Sequence, residues 1–99
     1  FVDSDKKMKD GLTLINDPMS KIEKINGYNF IWNKNADSEQ VGKKDIGVVA
    51  QEIEKIIPEA TKEKEGVLKV AYHKIIPLLI ECIKDQEKRI KELEDKTKC

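Results

Sequence analysis

The sequence predicts an α+β fold: a small mixed globular domain of short strands and helices, then one long C-terminal helix that self-associates as a coiled-coil stalk. Three observations predict it. Short aromatic or β-branched runs at 28–32, 46–49 and 67–70 read as strands. Brief amphipathic stretches open at Asp17-Pro18 and at Ala50. From about Lys74 onward, apolar residues recur at heptad spacing. The chain has 99 residues, of which 38% are charged. That is well above the ~25% usual in soluble domains and suits solvated helix faces.

In chain order, residues 1–16 read as an irregular or extended arm, interrupted by Gly11, with Leu12 and Leu14 alternating about Thr13. Asp17 is placed to cap a helix and Pro18 to begin it. Met19, Ile22 and Ile25 give that helix one apolar face, and Asn26-Gly27 stops it. Residues 28–32 hold three of the five aromatics, so this strand is expected to anchor the core. A polar loop is expected to protrude near 33–45, before the strand 46–49. The next helix, 50–57, should bury Ile53, Ile56 and Ile57 and end at Pro58. Residues 62–66 read as a charged turn leading to the strand 67–70.

The boundary within this single domain falls at 73/74. Residues 1–73 are the globular part and 74–99 the helix. Pro77 fits only in a first turn, so the helix starts between His73 and Ile76. Its seam runs through Leu79, Ile83, Gln86, Ile90, Leu93 and Thr97, alternately four and three apart. With Ile83 and Ile90 at position a, Arg89 and Glu94 take g and e, where a parallel coil pairs them for about 0.5 kcal/mol. Gln86 at d is a polar layer that fixes register. Isoleucine at a does not by itself choose trimer over dimer.

Several function classes are disfavoured. Nineteen basic residues balance nineteen acidic ones, so no overall basic field draws nucleic acid. No apolar run approaches the ~20 residues of a membrane span, and no signal peptide is visible. A chain beginning at Phe1 is expected to have been cut from something longer. Cys82 and Cys99 lie about 25 Å apart along one helix, too far to bridge, and read as free thiols of a reducing compartment. His73 is the only histidine, so no metal-ligand cluster forms. Gly42 and Gly47 make no phosphate loop, and no cofactor is expected. Glu52 reads as a surface carboxylate favoured by a helix N-terminus.

Asp3-Ser4-Asp5 with Lys9, then Ile46-Gly47-x-x-Ala50-Gln51-Glu52, then Tyr72-x-x-x-Ile76-Pro77-Leu78-Leu79, resemble in this order the C-terminal intramolecular chaperone domain of phage tail spikes and tail fibres. That family includes the endosialidase tail spike, and its members are self-cleaving serine–lysine peptidases. The resemblance covers nearly the whole chain. His73 departs from it, standing where a small or polar residue is common.

The resemblance implies that Ser4 is the nucleophile and Lys9 its base. A serine hydroxyl is hardly ionised at neutral pH and needs a base. A lysine serves only when neutral, which burial favours. Positions five apart face different ways in a helix or a strand, so a Ser4–Lys9 pair demands a bend. The resemblance further implies a homotrimer through Leu79, Ile83, Ile90 and Leu93, with the chain's own upstream fibre or spike segment as client and substrate. Assembly would occur in the host cytoplasm, and the domain would be removed from the mature tail after cutting. No nucleic acid or membrane partner is expected. Two rivals are a non-catalytic trimerisation module and the related self-cleaving domain of membrane-tethered transcription factors.

Overall fold

The computed structural model describes residues 1–98; the expectation for Cys99 lies outside them. Among the described residues the chain forms two antiparallel hairpins and three α-helices, joined by short 3-10 turns. In order come α1 (Pro18–Ile22), β1 (Tyr28–Ile31), β2 (Lys44–Gly47), α2 (Ala50–Ile56), β3 (Thr61–Lys64), β4 (Val67–Val70) and α3 (Ile76–Thr97). β1 pairs with β2 so that Phe30 faces Asp45, and β3 pairs with β4 so that Glu63 faces Leu68.

The stretch read as a charged turn is mostly strand β3. The turn itself is only Glu65-Gly66, with φ of 53° and 78°. Two consecutive left-handed residues make the primed turn whose twist matches a hairpin. Charge had masked the strand, because Lys62, Glu63 and Lys64 lie exposed on a thin ladder. The second strand starts two residues earlier than the β-branched run suggested. Lys44 and Asp45 therefore belong to β2, and the loop ends at Lys43. Pairing continues one step beyond β1: the Trp32 N–H donates to Lys43 O at 3.0 Å.

Asp17 does not cap α1 in the expected way. It sits at φ 48°, and its Oδ2 accepts from the Ser20 hydroxyl at 2.7 Å rather than from a backbone N–H. α1 is brief and ends before Ile25. Ile25 still packs on the core, reached by the turn that follows the helix.

The core is not where the aromatics are. Ile53, wholly buried at 0% exposure, meets Ala60 and Ile75, with Ile25, Val48, Ile57 and Val70 against them. Leu78 and Cys82 on α3 are buried as well, and the Cys82 thiol donates to Pro18 O at 3.4 Å. Burial pushes that thiol's pKa up. β1 was expected to anchor this core. Instead Tyr28, Phe30 and Trp32 line an open groove of about 810 Å³ between the hairpins. No further strand extends this two-stranded sheet among the described residues, and its rings stay partly exposed along the groove.

α3 begins where Pro77 requires, leaving the 3-10 turn Tyr72–Ile75. At 1.5 Å per residue its 22 residues span about 33 Å. Leu78 and Cys82 define the face turned to the domain. The seam lies roughly 80° around the axis: Ile83 and Ile90 are 65% and 50% exposed, and Leu79 and Leu93 are exposed too. The radius of gyration is 17.9 Å, against about 13 Å for a compact domain of this length. The chain exposes 8721 Å², where a compact monomer of 11.4 kDa would expose about 5,800 Å². No helix is long and apolar enough to cross a membrane among the described residues.

Candidate active site

Ser4 and Lys9 meet. Lys9 Nζ donates to Ser4 Oγ at 2.8 Å. The bend that their spacing demands is a single 3-10 turn, Lys6–Met8. Asp5 makes that turn. Its Oδ1 accepts the Lys7 N–H at 3.0 Å, and its carbonyl accepts the Met8 N–H at 3.1 Å. The Lys9 N–H then closes onto Lys6 O at 3.1 Å. Asp5 is thus an N-cap for one turn, and that turn carries the lysine back over the serine. Ser4 and Lys9 are both exposed, as is nearly all of the arm from Phe1 to Asn16. Among the described residues, the polar contacts of residues 1–15 all fall within that stretch.

The two downstream motifs hold the globular part together. Glu52 is a clasp, not a free surface carboxylate. Its Oε1 accepts the Asn26 backbone N–H at 3.2 Å and Asn26 Nδ2 at 3.1 Å, and its Oε2 accepts the Tyr28 hydroxyl at 2.5 Å. These bonds join the start of β1 to α2. The Tyr28 hydroxyl, first, holds the Glu52 carboxyl below the usual carboxylate range. The same bond raises Tyr28 above the usual phenol value.

Gly47 and Tyr72 form the other joint. A Cβ on Gly47 would stand 2.5 Å from the Tyr72 phenolic oxygen. That oxygen accepts the Val48 N–H at 3.1 Å. The motif spacing marked these residues, but sequence gave them no role, because their partners lie 24 positions away or more. His73 is exposed in the 3-10 turn before α3. Among the described residues, no group of three or more His, Cys, Asp or Glu is placed to hold a metal.

A family model described as chaperone of endosialidase, Peptidase_S74, matches residues 4–62. The chain belongs to that family. The match begins at Ser4 and takes in Lys9, the Glu52 clasp and Gly47. The chain is also 34% identical over 105 residues to Long tail fiber protein Gp37 of Enterobacteria phage T2, covering 97% of this chain and 8% of that protein. Phage K3 has a counterpart with the same identity and coverage. Gp37 of Salmonella phage S16 is 29% identical over 103 residues, covering 98% of this chain and 14% of its own length. The chain thus spans less than a tenth of the length of the K3 and T2 proteins.

Proposed function

We propose that the chain is the intramolecular chaperone of a phage tail fibre: it trimerises, holds the preceding fibre segments in register while they fold, and then cuts itself off beside Ser4. The observation that carries this reading is the 2.8 Å contact between Lys9 Nζ and Ser4 Oγ, made across a turn that has no other evident use. In its neutral form Lys9 takes the Ser4 hydroxyl proton, and Oγ attacks a neighbouring carbonyl carbon. Attack on the Asp3 carbonyl passes through a five-membered ring. Attack on Ser4's own carbonyl would need a strained four-membered ring. The Asp3–Ser4 bond is therefore the one cut. Its nitrogen leaves with a proton from Lys9, an ester joins Asp3 to Oγ, and water hydrolyses that ester to restore the serine.

Association supplies what the single chain lacks. Lys9 is open to water here, and cover from neighbouring copies would disfavour its ammonium. The uncovered seam of α3 and the surplus of about 2,900 Å² over a compact monomer support such association. A long β-rich shaft pairs slowly because its contacts are non-local, so a clamp that registers three chains at one end speeds the search. Removal of the clamp then leaves the shaft kinetically trapped. Assembly in the host cytoplasm and loss of this domain from the mature tail belong to the same reading.

The test is to join a tag to Phe1 and follow the intact mass. The wild type should release the tag with Phe1–Asp3, and Ser4→Ala should retain it. Release from the alanine variant at the wild-type rate would end the proposal.

A further inference from the structure

The groove between the hairpins and the arm at Leu12–Asn16 are unsatisfied in complementary ways. Residues 12–15 belong to no helix or strand, and their backbone N–H and C=O groups meet no partner among the described residues. Leu12 and Leu14 are 63% and 76% exposed. Left-handed residues bound the segment on both sides, Gly11 at φ 63° and Asp17 at φ 48°. It is thus a short irregular stretch between two left-handed residues, and residues 12–15 make none of the backbone pairing that a strand would give them.

The groove offers what that stretch lacks. Val67, Leu68, Lys69 and Val70 line it in succession. All four residues of β4 border the groove, so the strand runs along it. Among the described residues no strand other than β3 pairs with β4, so its second edge is open to one. Across from it, Tyr28, Phe30 and Trp32 supply an apolar wall. An unpaired apolar strand edge invites another strand.

We propose that Leu12–Asn16 of a second copy of this chain adds along the edge of β4, with Leu12 or Leu14 against the aromatic wall. This rests on the self-association proposed above and names a surface for it beyond the α3 seam. Area favours a second copy as the occupant. The surplus of about 2,900 Å² exceeds the ~800 Å² per partner of a standard contact several-fold. Charge does not oppose it: residues 12–16 carry none, and Asp45 and Lys69 balance at the groove. The arm is rooted beside α3, where Pro18 O accepts the Cys82 thiol, and its own chain's groove has no arm residue in it.

The experiment mixes two chains, both carrying Cys99→Ser. A tagged chain bears Leu14→Cys and an untagged chain bears Val67→Cys; Cys82 stays buried. Oligomers formed from the mixture are treated with a short bismaleimide. Light scattering on an untreated sample reports assembly separately. The expected result is a tagged–untagged adduct at least about tenfold more abundant than with Lys88→Cys, on the outer face of α3, in place of Val67→Cys. Leu12→Cys should behave as Leu14→Cys does.

An intact oligomer with no adduct above that control overturns this inference and leaves the self-association standing. A chain that stays monomeric overturns both. A single chain bearing both Leu14→Cys and Val67→Cys that links mainly within itself shows that the arm serves its own groove, and also overturns the inference.

Discussion

The Tyr72 hydroxyl occupies the space a side chain on Gly47 would need, 2.5 Å from where its Cβ would stand. Two motifs that the sequence separates by more than twenty residues are therefore one joint. The tyrosine oxygen also accepts the Val48 N–H at 3.1 Å, tying the 3-10 turn that precedes α3 to the residue that follows β2.

Gly47→Ala should cost about 1–3 kcal/mol by overpacking this joint. Tyr72→Phe should cost about 0.5–1.5 kcal/mol, since it removes the acceptor of the Val48 N–H. In the Tyr72→Phe background, the alanine penalty should shrink. Urea unfolding of the four proteins closes the cycle, and strict additivity would mean the two residues do not meet.

The Glu52 clasp gives a sign for pH dependence. Its carboxyl titrates below its ordinary value of 4.5 when folded, chiefly through the Tyr28 hydroxyl. A depressed folded value gives stability that is present above the unfolded value and lost as pH falls through the folded one. Melting temperature should drop on acidification, and Glu52→Gln should flatten that drop. Tyr28 titrates above 10.0, so its share is present below that value and lost only in stronger alkali. An unchanged acid profile for Glu52→Gln would show that the clasp contributes nothing.

The seam predicts assembly. Asp at both Ile83 and Ile90 places unpaired charge at the expected contact, at a cost of several kcal/mol. The double variant should lose its oligomer by light scattering while keeping its far-ultraviolet circular dichroism per residue near that of the wild type. Persistence of the oligomer would mean that the globular part alone holds the copies together.

Ile53→Ala should unfold the globular part most readily. Ile53 is the largest wholly buried side chain beside Leu78, and such truncations cost about 2–5 kcal/mol. With so few buried residues around it, the loss is a large share of total stability. Thermal melting reads the effect; a fall of less than a degree would place the core elsewhere.

Helices and three of the four strands were legible because periodicity and punctuation are local, though β2 lies two residues earlier than its β-branched run. Pro77 fixed the start of α3, and the seam spacing marked the face that the domain leaves uncovered. β3 was hidden because an exposed strand of Thr, Lys and Glu has no apolar period to read. The aromatic strand misled: three rings in five residues suggest a core, but whether a sheet face is covered is decided by topology. At the site, the Ser4–Lys9 spacing was visible and required a bend. That Asp5 supplies the bend, and that Glu52 clasps Tyr28, depends on contacts composition does not reveal.

The most direct measurement replaces Lys9 by arginine and reads cutting and assembly on one sample. Arginine keeps its charge at any accessible pH and cannot accept the Ser4 proton. With a tag joined to Phe1, Lys9→Arg should slow release of the tag by about 10²-fold or more. Lys9 is exposed and outside the core, so the oligomer should remain the same size by light scattering. Release at the wild-type rate would contradict the account, because the side chain 2.8 Å from Ser4 Oγ would then not be its base.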